Sequence, residues 1–230
     1  MKVCFDHIEG FGKVKDTDFI YSNPYGVLEH EESAADALKS GWIPWGQYWY
    51  NLRSVRIDLK LYQPTETVKK LSKKITYLSG NLETKLDVYL ELYESYCKHH
   101  KFERNIEWDN FKNCKVIEYH FEEKLVGISL YKIIENQFVA MQFIWNYADP
   151  KLSLGNIAQM IECKLAKLNG CHHVYILGGY EHCCIYKSSF KGFEFWTGKK
   201  WSQDVQLYKA LTMRDEKVVV IIPELEYENI

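Results

Sequence analysis

Ser153, Leu154 and Gly155 open a segment, Ser153 to about Leu168, in which Leu154, Ile157, Ile161, Leu165 and Leu168 recur at spacings of three and four. That period is the apolar stripe of a helix, with Ser153 at the capping position. The first turn of a helix leaves backbone N–H groups without acceptors, and with the helix dipole they favour an anion. Gly155 lies in that turn, so the segment can cradle a phosphate. Lys69, Lys70, Lys73 and Lys74 on one short helix could also grip phosphates, and Arg53 and Arg56 on or near the polar face of a strand could serve a functional role. Both patterns also describe an ordinary solvated face. A third segment, IYKSSFKGFEFWTGKKWS, interleaves Lys187, Lys191, Lys199 and Lys200 with Phe190, Phe193, Phe195, Trp196 and Trp201. Such a mixture lets charge track phosphates while rings stack on bases, and it equally describes a covering loop.

The elements that must position these residues follow from the periodicity. Phe138 to Trp145 is an apolar, β-prone run ended by Asp149-Pro150, since proline cannot donate to a ladder and restricts its predecessor. After the helix, Asn169-Gly170 is a stop, and His173 to Leu177 reads as a second strand. Strand, helix and strand in this order predict a right-handed crossover with parallel strands. Upstream, Lys115 to Phe121, a turn at Glu122–Lys124 and Leu125 to Ile133 predict an antiparallel hairpin, and a turn at Glu135-Asn136 leads into the 138–145 strand. Three antiparallel strands, a helix and a parallel strand predict a mixed α/β (α+β) sheet of the N-acetyltransferase (GNAT-like) type with flanking helices. By analogy of fold, its cleft opens where the two parallel strands splay at the helix N-terminus.

The remainder is read in order. Residues Met1 to Pro24 suggest an irregular cover or short edge strand, and Glu31 to Lys39 a short helix ended by Gly41. The rings of GWIPWGQYWYNL form either a packed turn or an aromatic wall. Alternation from Arg53 to Tyr62 predicts a strand with Val55, Ile57, Leu59 and Leu61 inward. A helix is expected from Thr65 to about Ile75, a break at Ser79-Gly80-Asn81, and a ring-rich helix from Thr84 to His100. Phe102 to Asp109 reads as a linker, and Lys217 to Ile222 as a closing strand. The domain expectation is 1–110, a smaller N-terminal subdomain with the aromatic turn, basic strand and two helices, and 111–230, the transfer domain.

A formal charge of −2 in 230 residues gives no global field to gather nucleic acid. Apolar residues at 47% and aromatics at 15% describe a folded chain rich in stacking surface. Seven cysteines without a CxxC support no zinc or iron–sulfur reading and fit a reducing compartment. Neither a signal sequence nor an 18-residue apolar run is evident, so the expectation is cytoplasmic, with no membrane contact.

Four places carry a resemblance to the aminoacyl-tRNA–protein transferases, the arginyltransferases and the bacterial leucyltransferases that act on proteins beginning with Asp or Glu. Gly41-Trp42 precedes Arg56-Ile-Asp-Leu-Lys-Leu-Tyr62-Gln-Pro64 and Lys69-Lys70. Leu92-Tyr93-Glu-Ser-Tyr96 is followed by Lys98 to His100. Asp149-Pro150 is followed by Ser153-Leu154-Gly155, and Tyr175-Ile-Leu-Gly178-Gly-Tyr180 by Tyr186-Lys187-Ser-Ser-Phe190. The chain departs from the family in lacking its N-terminal cysteine cluster, which holds a metal or iron–sulfur cluster in the arginyl branch. Glu66 stands in Thr65-Glu66-Thr67-Val68, where the family has Ser-Arg-x-Gln, and the loop from Gly178 to Tyr186 is about three residues shorter.

The resemblance implies transfer of an aminoacyl group from its tRNA ester to an amine acceptor, a protein or peptide N-terminus, forming an amide. The ester is already activated, so the protein must orient both partners, keep the amine neutral and meet the oxyanion. No cofactor and no metal is expected. The catalytic candidates are Asn146 and Tyr147 at the strand end, His173 and Tyr180, with Glu118 and His120 as further bases or acceptor-binding groups. The candidates for binding substrate and tRNA are Arg56, Lys69, Lys70, Trp145, Ser153, Gly155, Gly178, Tyr186 and Lys187. Two alternatives stand beside this reading: an acyl-CoA-dependent N-acetyltransferase, and a non-catalytic peptide-binding protein of the same fold.

Overall fold

The computed structural model describes residues 2–14, 17–28, 33–51, 53–100, 108–147, 152–178 and 182–221. The chain divides into two compact units: Met1–Arg56 with Leu177–Ile230, and Ile57–Ile176.

The first unit opens with a long antiparallel hairpin, β1 (Lys2–Val14) and β2 (Thr17–Val27), where an irregular cover or a short edge strand was expected. Helix α1 (Ala34–Lys39) follows, its start fixed by the Ser33 hydroxyl accepting from the Asp36 N–H. The aromatic turn proves to be a second hairpin, β3 (Ile43–Trp45) and β4 (Tyr48–Tyr50), turning at Gly46, which has φ +61°. Strand β4 pairs with β2, giving the order β1-β2-β4-β3. Gly41 is required before it: at φ +79°, a Cβ there would drive into the Trp196 ring.

Strand β5 (Val55–Asp58) carries the chain into the second unit. It is shorter than its alternation predicts, because Leu59 to Leu61 turn and leave Leu61 exposed. Thr65 caps α2 (Glu66–Ser72) by accepting from the Val68 N–H. The segment read as a break at Ser79-Gly80-Asn81 is instead the end of β6 (Ile75–Asn81), paired along its length with a later strand. A single 3-10 turn, Leu82–Lys85, leads into α3 (Leu86–His100).

Strands β7 (Lys115–Phe121), β8 (Lys124–Ile134) and β9 (Gln137–Trp145) form the expected antiparallel meander. Helix α4 (Leu154–Leu168) then crosses to β10 (His173–Tyr175). Strand β10 runs parallel to β9 with His173 opposite Gln137, Val174 opposite Phe138 and Tyr175 opposite Val139. The strand order is β10-β9-β8-β7-β6, the mixed GNAT-like sheet with flanking helices. The helices take opposite faces. Tyr89 of α3 bonds to Glu118, whereas Glu162 of α4 bonds to Ser129, the hydroxyl partner of Tyr119. Adjacent residues on β7 point to opposite sides of the sheet. The core between them holds Tyr119, Ile128, Phe138, Ile144, Ile157 and Ile161, all essentially buried.

Back in the first unit, a 3-10 segment, His182–Ser189, precedes β11 (Phe193–Trp196), β12 (Trp201–Ser202) and α5 (Val205–Ile221). The closing strand expected at Lys217 to Ile222 is thus the end of a helix as far as Ile221. Asp204 accepts from the Leu207 N–H at its start, and Tyr208 packs against Phe193 and Phe195.

Candidate active site

Five of the expected residues, Trp145, Asn146, Tyr147, Ser153 and Gly155, lie at the far end of β9 and the start of α4. Beyond Trp145 the ladder gains one more bond, from the Asn146 N–H to the Val126 carbonyl (2.8 Å). Strand β10 faces only the first three residues of β9, so Ala140 to Trp145 run on past its end. The parallel pairing thus ends after three residue pairs. Phe143 and Trp145, two apart and therefore on one face, stack at 4.7 Å. Tyr147 lies 4.6 Å from Trp145 and stacks nearly parallel on His99 of α3 at 3.8 Å. Tyr96, one helical turn before His99, leans on Trp145 and Tyr147. Five rings from α3 and the end of β9 thus form an aromatic bank, half-buried except at the exposed His99 and held by the quadrupolar preference for offset and tilted pairs.

The N-terminus of α4 is brought against that bank by Gly127. A Cβ there would sit 3.0 Å from the Leu154 side chain, 3.1 Å from the Ile144 carbonyl and 3.2 Å from the Trp145 Cβ. The missing side chain lets the first turn of α4 settle on the sheet without displacing these neighbours. Ser153 has φ +51°, and its carbonyl accepts from the N–H groups of Asn156 and Ile157. Its hydroxyl makes no capping bond, contrary to expectation. A Cβ built on Gly155 would meet the edge of the Phe143 ring at 3.8 Å, so the first turn of α4 faces the aromatic bank.

At the same end of the sheet, on the α3 face, Glu118 is buried at 5% exposure and accepts four hydrogen bonds. Lys85 donates to both carboxylate oxygens (2.9 and 3.1 Å), Tyr89 to one (2.7 Å), and His120 Nε2 meets the other at 2.9 Å. Burial pushes the carboxyl pKa up, but the bonds from Tyr89, Lys85 and His120, with the Lys85 charge, outweigh it and hold the group below its ordinary value. Glu118 is therefore a carboxylate. The tyrosine that serves it is shifted well up, by burial and by that hydrogen bond.

Other candidates lie elsewhere. His173 bonds to Gln137 (3.0 Å), which puts it at the opposite end of β9, about 25 Å from Trp145 at a rise of roughly 3.3 Å per residue. Lys69 pairs with Glu66 one turn earlier on α2, and Lys70, Lys73 and Lys74 are exposed beside it. In the first unit, Arg56 pairs with Glu194 (2.7 Å) and lies over the Trp201 ring at 4.1 Å, so its charge is engaged within that unit. Lys187 is buried at 8% exposure and donates to the carbonyls of Leu177 (3.0 Å) and Gly178 (3.4 Å). Its neighbour Tyr186 is exposed. Tyr180 and Asp149-Pro150 lie outside the described residues.

Sequence reasoning passed over Lys85, His99 and Phe143. The Tyr96–His99 spacing of three on a helix was a usable signal. The approach of Lys85 to Glu118 had none, being fixed by the packing of the turn before α3 on β7.

Residues 88–197 match the family model described as "Arginine-tRNA-protein transferase, C terminus". The stretch runs from α3 through β11 and contains the β9–α4–β10 unit. An aspartate/glutamate leucyltransferase of Shewanella oneidensis is 24% identical over 166 residues, covering 64% of this chain and 68% of the relative. Among solved structures, the C-terminal domain of a putative lysylphosphatidylglycerol synthetase from Agrobacterium fabrum gives a TM-score of 0.45 at 10% identity, covering 54% of this chain and 45% of that one. A GCN5-related N-acetyltransferase from Kribbella flavida gives 0.39 at 8%, covering 55% and 47%. The chain thus spans less than half the length of either structure. Among the described residues, no helix is long and apolar enough to cross a membrane.

Proposed function

We propose that this protein is a divergent aminoacyl-tRNA–protein transferase, moving an aminoacyl group from its tRNA ester to the amine of a protein or peptide. The observation that carries the reading is the β9–α4–β10 unit: its parallel pairing ends after three residue pairs, and it lies inside the stretch matching the arginine-tRNA-protein transferase family. The matched leucyltransferase, by its name, acts with leucine on aspartate and glutamate. Glu66 argues against carrying over an acidic acceptor, because an arginine there would recognise a carboxylate with paired, charge-assisted bonds and a glutamate repels it.

In this reading the acceptor nitrogen attacks the ester carbonyl, the new C–N bond forms, and the ester C–O bond breaks to release the ribose hydroxyl. The N–H groups of the first α4 turn, at Leu154 and Gly155, favour a phosphate of the terminal nucleotides. The bank of Phe143, Trp145 and Tyr147 forms the wall of the cleft. The side chains of Asn146 and Tyr147 are assigned to the developing oxyanion.

The test supplies purified protein with a pool of radiolabelled aminoacyl-tRNAs and peptides carrying each possible first residue, then scores new amide. Transfer without coenzyme A, ATP or added metal is expected, because the ester carries the activation. Transfer from acetyl-CoA and from no aminoacyl-tRNA would replace this reading by an N-acetyltransferase. Tight peptide binding without transfer would replace it by a binding protein.

A further inference from the structure

His120 is the one imidazole among the described residues that a buried carboxylate holds by one nitrogen while the other meets no protein partner. Its Nε2 lies 2.9 Å from Glu118, and about a fifth of the side chain is exposed. Glu118 is ionised and can only accept, so Nε2 must carry the proton in that bond. In this tautomer the ring presents a bare lone pair at Nδ1. Nothing in the pairing is left to chance: Lys85 and Tyr89 occupy the remaining acceptor positions of Glu118, so the carboxylate cannot turn away from the ring. A carboxylate that fixes the tautomer and orientation of a histidine is the arrangement by which imidazoles are made to take protons.

The sheet register places His120 at the end of the sheet that holds Trp145 and Asn146. Tyr119 stands opposite Gly127 and Gly127 opposite Trp145, so the three share one row. The register then slips, with His120 opposite Leu125, and Val126 is the extra residue of a β-bulge. The same Val126 carbonyl takes the Asn146 N–H. His120 and Asn146 are therefore separated by two strand spacings, about 10 Å of backbone. The bulge re-aims the strand end at that point, and the α3 face carries Glu118, Lys85 and Tyr89 as the ionisable groups about the ring.

We propose that His120, oriented by Glu118, is the general base of the acyl transfer, an assignment that rests on the aminoacyl-transfer reading above. The acceptor amine attacks the ester carbonyl, and its proton passes to His120 Nδ1. The C–O bond to the tRNA ribose breaks, and His120 returns the proton to the departing ribose oxygen. No oxidant, reductant or metal enters the balance. Glu118, Lys85 and Tyr89 are positioning residues, acting through His120.

The decisive variants are His120→Gln, His120→Ala and Glu118→Gln, assayed with the aminoacyl-tRNA pool and the peptide set. His120→Gln keeps an N–H for Glu118 but has no base, so it separates chemistry from packing. It should retain the wild-type unfolding midpoint and KM while losing about 100-fold or more in kcat. His120→Ala should lose as much, and added imidazole should restore part of its rate. Glu118→Gln should lower kcat without rescue by imidazole. Wild-type transfer together with unchanged kcat in His120→Gln, or no imidazole rescue of a folded His120→Ala, overturns this assignment and leaves the transferase reading standing. A wild-type protein that forms no amide overturns both.

Discussion

Glu162 gives the sharpest test of the structure itself. It lies on α4 facing the sheet, 4% exposed, and its hydrogen-bonding partner is the Ser129 hydroxyl, itself 2.9 Å from the Tyr119 hydroxyl. Tyr62, Tyr119 and Cys163 are the ionisable groups around it, and among the described residues no cation pairs with it. Burial raises its pKa from the ordinary 4.5 to about 7, with the Ser129 bond holding it down in part. The folded protein therefore keeps this proton to higher pH than the unfolded chain. Its contribution to stability is full below about pH 4.5 and is lost as pH rises to about 7. That displacement is worth about 3 kcal/mol, at roughly 1.4 kcal/mol for each pH unit. Glu162→Gln keeps the shape and an acceptor for Ser129 but cannot ionise. Urea unfolding of both proteins from pH 4.5 to 8 should show the variant gaining on the wild type by about 3 kcal/mol, nearly all of it below pH 7. A gap that stays constant over this range, or that moves the other way, would show that the carboxyl is not buried as described.

Three other outcomes are expected. Gly155→Ala should fold at least as well as wild type, since its Cβ would meet Phe143 at an ordinary 3.8 Å and helical alanine is favoured by about 1 kcal/mol; Gly155→Trp should abolish transfer by blocking the first turn of α4, read by the amide assay with unfolding as control. Reversal of Lys69, Lys70, Lys73 and Lys74 to Glu should weaken tRNA binding and flatten its salt dependence, because each lost phosphate contact removes counterion release; an unchanged affinity in a filter-binding titration would take α2 out of the interface. Lys187→Met should cost about 2 kcal/mol in urea unfolding by stripping a charged donor from the Leu177 and Gly178 carbonyls, and a neutral result would show that this lysine does not hold the segment after β10.

Local pattern determined much of the second unit. Period-two alternation with short turns gave β7, β8 and β9, and the stripe of α4 between two apolar runs gave the parallel crossover, because only one hand and one direction bury that stripe. The tertiary structure decided what local pattern could not. Ser79-Gly80-Asn81 belongs to β6 because an edge strand pairs on one side only, where glycine and polar side chains are tolerated at an exposed ladder. The β-branched run near the C-terminus continues α5 because strand preference depends on packing, and this segment follows a helix already started at Asp204 and anchored by Tyr208. The same division holds at the site. Trp145, Ser153 and Gly155 were legible as the ends of a strand and a helix, and the chain itself, through Gly127, brings those ends together. His173 carried the same chemical signal as His120, yet register puts it at the far end of β9. Glu118 and His120 are two apart in sequence, and that spacing alone sets them on one face of β7. Lys85 is 33 residues away from Glu118, and no periodicity reaches that far; only the docking of α3 and its preceding turn on the sheet turns an acidic residue on a strand into a fixed carboxylate holding a histidine.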